Sequence, residues 1–250
     1  MSDLKSSPRR SRKPTGALVE PIAAPAKAKS VKAPKPVDRE TLVEVFTRFR
    51  AANPQPKGEL EHTNAFTLLV AVVLSAQSTD AGVNKATRGL FQVADTPAKM
   101  LALGEEGVRQ RIRTINFFNT KAKNVIALSR RLVEEFGGEV PRSVEVLETL
   151  PGVGRKTASV VVNVAFGVPR IAVDTQIFRV ANRIPLVATQ APLETQAALE
   201  AVVPKEFLLH AHHWLILHGR YVCKARKPEC WRCLVADLCR YPEKTPAPGA

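Results

Sequence analysis

The sequence has no long apolar run, no secretory signal and no cysteine outside one short C-terminal window. The longest apolar stretches, such as 68–74 and 160–166, fall well short of the roughly 20 residues that a membrane helix needs. The N-terminus also lacks the apolar core of a signal peptide. We therefore expect a soluble cytoplasmic protein with no membrane partner.

Sustained alternation of apolar and polar residues, the pattern of a β-strand, is also lacking. Apolar residues instead recur at helical spacing from about Asp38 to the cysteine window, and the segments between them carry helix start and stop residues. Asp38, Asn64 and Thr96-Pro97 are typical helix starts, and Asn119 is placed to begin a long helix. The pattern predicts an all-α chain of about ten helices.

Acidic residues are too few to balance the basic ones, so that the net charge is +14 and the pI about 10.0. Such a surface attracts a polyanion, and without a basic amphipathic helix to favour a membrane, nucleic acid is the leading partner. Residues 1–36 hold nine Lys or Arg and six Pro. We expect this basic tail to be disordered, and either to add non-specific DNA affinity or to be merely solvated.

The four cysteines form a C-x6-C-x2-C-x5-C pattern within residues 223–239. Clustered thiols indicate a metal site rather than disulfides, and their spacing fits a zinc site and an iron–sulfur cluster equally well. Lys224, Arg226 and Lys227 lie in the first loop of this window, as candidate phosphate contacts or as a solvated basic loop. The candidate ligands are Cys223, Cys230, Cys233 and Cys239.

Four histidines between residues 210 and 218 are the other candidate metal ligands. At helical spacing they spread over more than one face, and the same helix carries Trp214 and several leucines. We expect this helix to be a packing element and not a metal site.

The segment 150–180 combines a tight turn, a lysine and a carboxylate. Gly152 and Gly154 predict the turn, and a helix then opens with Arg155 and Lys156. A helix start of this kind presents free backbone N–H groups and binds anions. Asp174 follows eighteen residues after the lysine, at the start of a second helix. From these residues alone, a plain phosphate contact explains Lys156 better than catalysis does.

Several stretches of this chain together resemble the helix-hairpin-helix DNA glycosylases, and among them the endonuclease III family. They are L-P-G-V-G-R-K-T-A at 150–158, V-D-T-Q-I-F-R-V at 173–180, L-S-A-Q-S-T-D at 74–80, V-N-K-A-T at 83–87, H-H-W-L-I-L-H-G-R-Y at 212–221 and the cysteine pattern. The resemblance spans about residues 38–241 and implies that the four cysteines hold a [4Fe–4S] cluster.

The resemblance implies a bilobed all-α fold with the helix-hairpin-helix motif in one lobe. A six-helix barrel domain is expected over 58–168, and an iron–sulfur cluster domain over 37–57 plus 169–241. The segments 1–36 and 242–250 are expected to be flexible tails. Duplex DNA is expected to lie across the cleft between the lobes.

The implied function is base excision repair by a bifunctional DNA glycosylase and abasic-site lyase that removes oxidised pyrimidines. Lys156 matches the family's nucleophile, which forms an imine with the sugar before the strand is cut by β-elimination. Its own helix start and the adjacent Arg155 favour the neutral amine that attack requires. Asp174 matches the catalytic aspartate, and Glu148 matches an acid near the lysine. The partner is damaged or abasic duplex DNA, bound by a monomer in the bacterial nucleoid, without mitochondrial import.

Other residues match DNA contacts of the family. Gly152 and Gly154 are expected to bind a phosphate through backbone N–H groups, and Arg155 to support that contact. Gln77 is expected to fill the gap left by the flipped base, unless it is simply a polar residue at a helix end. Phe117 is expected to wedge between bases from a second loop.

Two departures and two alternatives qualify this resemblance. The second loop, often G-L-Y-N in relatives, reads Asn116-Phe117-Phe118-Asn119 here, and the residue two after the aspartate is Gln176 where histidine is common. These changes bear on the opposite-base preference and on the pH profile. The alternatives are an adenine glycosylase, which usually lacks the lysine, and a non-catalytic DNA-binding iron–sulfur protein.

Overall fold

The computed structural model describes residues 35–249. No residue in this range belongs to a β-strand, and ten α-helices follow one another. The prediction of an all-α chain is therefore confirmed. None of the helices in this range combines the length and the apolarity needed to cross a bilayer. The helices are α1 (Arg39–Ala52), α2 (Ala65–Ser75), α3 (Asp80–Val93), α4 (Pro97–Ile112), α5 (Phe118–Phe136), α6 (Val144–Glu148), α7 (Arg155–Phe166), α8 (Thr175–Arg183), α9 (Pro192–Val202) and α10 (Lys205–Tyr221).

Capping side chains set the helix starts. Asp38 and Asn64 each accept a hydrogen bond from the backbone N–H three residues on, which satisfies one of the donors that a helix start leaves free. The start predicted at Asn119 is one residue late, because α5 begins at Phe118. There Phe117 adopts a left-handed backbone conformation, and no side chain caps the helix.

One lobe, here called the barrel lobe, consists of α2–α7 around a single hydrophobic core. Every residue of α2 from Phe66 to Leu74 is buried, and this helix contacts α3, α5 and α7. Leu69, Leu90 and Leu128 are fully buried in the core. Burial of one such side chain stabilises a fold by about 1.5–3 kcal/mol. An apolar central helix thus organises the lobe.

The other lobe, here called the cysteine lobe, consists of α1, α8, α9, α10 and the loop after α10, around a second core. The α1 helix precedes the barrel lobe in sequence but packs against α10. The rings of Phe46 and Phe207 are stacked at 5.7 Å, and the Trp214 indole N–H donates to the Asn53 carbonyl at 2.8 Å. The chain therefore leaves this lobe, forms the barrel lobe and returns, which confirms the bilobed fold.

Polar contacts join the two lobes. The Arg220 guanidinium of α10 pairs with Glu59 and with Asp80, the latter at 2.5 Å. The Asn163 amide of α7 donates to the Leu209 carbonyl of α10 at 3.1 Å. These bonds connect the lobes beside the cleft that Arg220 lines.

The two predicted tails are described to different extents. The tail at 1–36 lies outside the described residues apart from Lys35 and Pro36. The segment from 242 is described as far as residue 249 and contains no helix. Thr245 in this segment accepts a hydrogen bond from the Cys230 backbone N–H at 3.3 Å and donates to the Pro228 carbonyl. At this point the segment packs against the cysteine loop.

Candidate active site

The turn between α6 and α7 has the backbone geometry expected of an anion-binding hairpin. Gly152 has a φ of +78°, and a Cβ at this position would lie 2.8 Å from the side-chain nitrogen of Asn124. Glycine is therefore required there both by conformation and by space. Gly154 caps α7 without a side-chain hydrogen bond, so the first backbone N–H groups of α7 remain available to an anion.

Lys156 and Asp174 lie together at the starts of α7 and α8. The Lys156 Nζ is 3.6 Å from the Asp174 Oδ2, and the two side chains are 47% and 16% exposed. The other carboxylate oxygen, Oδ1, caps α8 by accepting from the backbone N–H groups of Gln176 and Ile177, both at 2.9 Å. One oxygen thus holds the aspartate in place while the other faces the lysine.

These two residues line a cleft together with Gln77, Gln176 and His212. One of these residues, His212, belongs to the helix that the sequence assigned to packing. His212 is buried, and its buried Nδ1 atom and the buried Oε1 atom of Gln176 have no hydrogen-bond partner within residues 35–249. Burial lowers the pKa of His212 to about 3, so its imidazole is neutral at physiological pH. The cleft wall therefore offers unpaired, uncharged polar atoms, which the spacing of the histidines did not reveal.

Arg155 and Glu148 pair with each other beside the hairpin. The Arg155 guanidinium lies 2.9 Å from Glu148 and 3.7 Å from Glu145, and the bond to Glu148 raises the pKa of Arg155. These carboxylates offset its charge. Glu148 is thus paired with Arg155, whereas the acid paired with Lys156 is Asp174.

Gln77 and Phe117 lie in two loops of the barrel lobe that meet. Both have left-handed backbones, with φ values of +53° and +57°, and Phe117 is 62% exposed. The Asn116 side-chain amide donates to the Gln77 backbone carbonyl at 2.7 Å. Strained backbone at non-glycine residues persists only where the surroundings enforce it and is common at ligand sites. The strain and the bridging amide were not apparent from the sequence.

The loop after α10 brings all four cysteines to the wall of one cavity, which Arg183 and His218 also line. A single zinc ion, with Zn–S distances of about 2.3 Å, would need its thiolates about 3.8 Å apart. In the described chain no group of three or more His, Cys, Asp or Glu side chains is placed to hold one metal ion. Burial raises the pKa of Cys233 to about 11, so thiolates here need a cationic centre beside them. The donor set and the cavity fit an iron–sulfur cluster better than zinc.

Arg183 of α8 is a residue of this region that the sequence did not reveal. Its guanidinium donates to the backbone carbonyls of Lys224 at 2.7 Å and Ala225 at 3.0 Å, and lies 4.6 Å from the centre of the Tyr241 ring. It therefore connects the cysteine loop to α8, the helix that Asp174 caps.

The three basic residues of the cysteine loop differ in their surroundings. The Lys224 ammonium pairs with Glu229, whereas the side chains of Arg226 and Lys227 are exposed. Lys227 also has a left-handed backbone, with a φ of +52°. Arg226 and Lys227 are thus better placed than Lys224 to meet an external anion.

Comparison with known families and structures agrees with this geometry. Residues 70–205 match the model of the HhH-GPD superfamily base excision DNA repair proteins, and residues 223–239 match the iron–sulfur binding domain of endonuclease III. The predicted [4Fe–4S] cofactor is confirmed by the second match and by the relatives described next.

Endonuclease III of Treponema pallidum (strain Nichols) is 56% identical to this chain over 203 residues, which cover 81% of this chain and 96% of the relative. The Escherichia coli (strain K12) endonuclease III is 55% identical over 208 residues, 83% of this chain and 99% of the relative. A solved structure of a trapped endonuclease III–DNA covalent intermediate superimposes with a TM-score of 0.77 at 44% identity, covering 82% of this chain and 97% of that one. The chain therefore belongs to the HhH-GPD superfamily of base excision DNA repair proteins and, within it, to the endonuclease III family.

Proposed function

We propose that this protein is a bifunctional DNA glycosylase and abasic-site lyase in which Lys156 attacks the sugar and Asp174 assists. The observation that carries the assignment of these residues is the 3.6 Å approach of the Lys156 Nζ to the Asp174 Oδ2 in the cleft. Membership of the endonuclease III family supports the reaction itself, and the similarity to a trapped covalent enzyme–DNA complex supports an imine route.

The reaction begins at the C1′ atom of the damaged nucleotide. The neutral Lys156 amine forms a bond from Nζ to C1′, and the bond from C1′ to the base breaks, so that the base leaves with the electron pair and takes up a proton. Loss of a proton from Nζ and opening of the sugar ring then give an imine. Removal of a proton from C2′ expels the 3′ phosphate by β-elimination, and water releases the enzyme.

Asp174 suits a supporting role in these steps. Its Oδ1 atom is held by two backbone N–H groups at the positive end of α8. Its Oδ2 atom is left to accept a proton from Lys156 and to stabilise positive charge on the sugar. Because the cap fixes the carboxylate before substrate arrives, no reorganisation is needed at the moment of reaction.

The DNA backbone is bound by groups that do not recognise any particular base. We assign one phosphate to the N–H groups at Gly152 and Gly154, with Arg155 at the edge of that contact. Gln77 and Phe117 enter the duplex from the two meeting loops and stabilise the flipped state. Exposed basic side chains of the cysteine loop extend the phosphate contacts; they are Arg226, Lys227 and, less strongly because of its ion pair, Lys224.

Four thiolates hold the [4Fe–4S] cluster in this proposal, namely those of Cys223, Cys230, Cys233 and Cys239. When bound, the cluster supplies a rigid, positively charged core to the loop. The reaction steps above use only side chains of the cleft. The loop held in this way presents its basic residues at fixed positions.

Several finer features belong to the same proposal. Oxidised pyrimidines are the substrate class that we infer, with Gln176 as an uncharged hydrogen-bonding wall residue. We infer a monomer in the bacterial nucleoid. The domain division at 58–168, with 37–57 and 169–241 in the second domain, is supported by the two separate cores.

Borohydride trapping on an abasic duplex tests the chemistry directly, because the reductant converts the imine into a stable protein–DNA adduct. The intact cluster-loaded protein is expected to form the adduct, and Lys156→Ala to abolish it. Lys99→Ala is the matched control, since Lys99 is an exposed barrel-lobe lysine paired with Asp95 outside the cleft.

Two results would overturn the assignment. Failure of the intact protein to form an adduct contradicts the lyase and favours an adenine glycosylase or a non-catalytic DNA-binding protein. An undiminished adduct from Lys156→Ala shows that another amine is the nucleophile.

A further inference from the structure

Lys121 of α5 is a buried lysine that the proposed chemistry does not use. It is 6% exposed, and its ammonium lies at the C-terminal end of α2. The Nζ atom donates to the backbone carbonyls of Leu74 at 2.8 Å and Ala76 at 2.7 Å, and to the Ser78 hydroxyl oxygen at 3.0 Å. Two of these acceptors directly flank Gln77 in sequence.

This arrangement matches the bonding capacity of the side chain. An ammonium has three N–H donors, and each has one uncharged oxygen acceptor here. The acceptors lie where the partial negative charge at the end of α2 favours a cation. Burial lowers the pKa of Lys121, which the three bonds oppose by holding the charged form. Lys121 therefore fixes the end of α2 and the loop that follows it at three points.

Asn116 fixes the same loop at a fourth point. Its side-chain amide donates to the Gln77 carbonyl at 2.7 Å, and the next residue is the exposed Phe117. Asn116 and Lys121 lie five residues apart in the segment that carries Phe117, and both bond the segment that carries Gln77. A glycine in place of Asn116, as in the G-L-Y-N form of the loop, has no side chain with which to make this bond.

We propose that Asn116 and Lys121 are positioning residues that join Gln77 and Phe117 into one preassembled wedge. The inference rests on the proposed function, in which both wedge residues enter the duplex. Gln77 and Phe117 have left-handed backbones, and the hydrogen bonds of Asn116 and Lys121 hold them in this conformation. Because the bonds exist before DNA arrives, inserting the wedge does not require two loops to be ordered separately. The two residues therefore act as a unit when the damaged base leaves the helix.

The test compares a substrate that needs the wedge with one that does not. Single-turnover base release is measured on a duplex with an oxidised pyrimidine opposite its normal partner, and strand cleavage is measured on a single-stranded abasic oligonucleotide. The cluster-loaded variants are Asn116→Gly and Lys121→Met, and Lys99→Met is the control.

We expect both variants to release the base from the duplex about tenfold more slowly, since residues in one bonded network couple by roughly this factor. Cleavage of the single-stranded abasic substrate is expected to stay within about twofold, because no base has to leave a stack. Combining Asn116→Gly with Gln77→Ala is expected to slow duplex base release by less than the product of the two single effects.

Equal losses on both substrates would show that the two residues only stabilise the fold. No loss on either substrate, or fully multiplicative effects with Gln77→Ala, would show that they do not join the wedge. Asn116→Gly keeps the test decisive if Lys121→Met folds poorly, since Asn116 lies in an exposed loop. Failure of the unmodified protein to cleave the single-stranded abasic substrate would instead count against the proposed function.

Discussion

Lys121 and Lys156 both lie near the start of a barrel-lobe helix, in opposite surroundings. Lys121 is 6% exposed, with three uncharged acceptors around its ammonium. The Lys156 side chain is 47% exposed and faces one carboxylate at 3.6 Å. An amine enclosed on all sides cannot reach a substrate atom, whereas an exposed amine with one polar neighbour can. Burial and bonding, not residue type, therefore decide which of the two lysines can reach a substrate.

The same division extends to other polar groups of the site. Asp174 keeps one carboxylate oxygen toward the cleft, whereas His212 and His213 are buried in α10. We therefore expect changes to groups that face the cleft to alter rates without altering stability. Changes to these two buried histidines are expected to alter stability more than rates.

The largest effect is expected from Asp174→Asn. An asparagine retains the side-chain oxygen that caps α8 but removes the negative charge beside Lys156. Because the charge and the proton acceptor are lost, single-turnover base release should fall by about 10²–10⁴-fold. The melting temperature should change little, since the cap bond remains.

Asp38→Asn is the matched control for that variant. Asp38 also caps a helix, by accepting from the Thr41 backbone N–H at 2.8 Å, but it lies outside the cleft. The Asp38→Asn variant should have the same rate of base release and the same melting temperature as the unmodified protein. An unchanged rate in Asp174→Asn would contradict the catalytic role, and a large loss of stability would make the aspartate mainly a structural cap.

A smaller effect is expected from the titration of buried histidines. Burial lowers the pKa of His212 to about 3 and that of His213 to about 4, from an ordinary value near 6.5. Between pH 4 and 6.5 the unfolded chain binds protons that the folded chain does not. The free energy of unfolding therefore falls as the pH falls, by up to about 1.4 kcal/mol per pH unit for each histidine.

Urea unfolding of the cluster-loaded protein between pH 5 and 7.5 measures this slope. His213→Gln should reduce the slope of the unfolding free energy against pH by the equivalent of about one proton. An unaltered slope in His213→Gln would mean that this imidazole can take up its proton in the folded protein.

The smallest effect is expected at the exposed edge of the cysteine loop. Arg226→Ala should weaken binding to undamaged duplex DNA about equally for all sequences. It should also reduce the salt slope, which is the slope of the logarithm of the binding constant against the logarithm of the salt concentration, by about one. Lys224→Ala should change the slope less, because the Lys224 ammonium is already paired with Glu229. Fluorescence anisotropy across a salt series measures both slopes. Equal slopes for the two variants would contradict the difference in their surroundings.

The sequence predicted which segments matter better than how they are arranged. Through the resemblance it predicted that Gln77 and Phe117 are inserting residues, but it predicted neither their left-handed backbones nor the Asn116 bond that joins their loops. A non-glycine residue adopts that conformation when its surroundings enforce it, and those surroundings come from a loop far away in sequence. The ion pairs of Arg155 with Glu148 and Glu145 were likewise not apparent from the sequence, because they depend on how the chain folds around the hairpin.

By itself, the sequence determined the all-α class, the main helix starts and the grouping of four thiols in one short loop. These features depend on local spacing, capping residues and apolar periodicity, all of which can be read along the chain. Only the tertiary structure decided that Lys156 faces Asp174, that Lys121 is enclosed and that His212 is neutral. Those properties depend on distance and burial, which packing of the two lobes sets between residues that are remote in sequence.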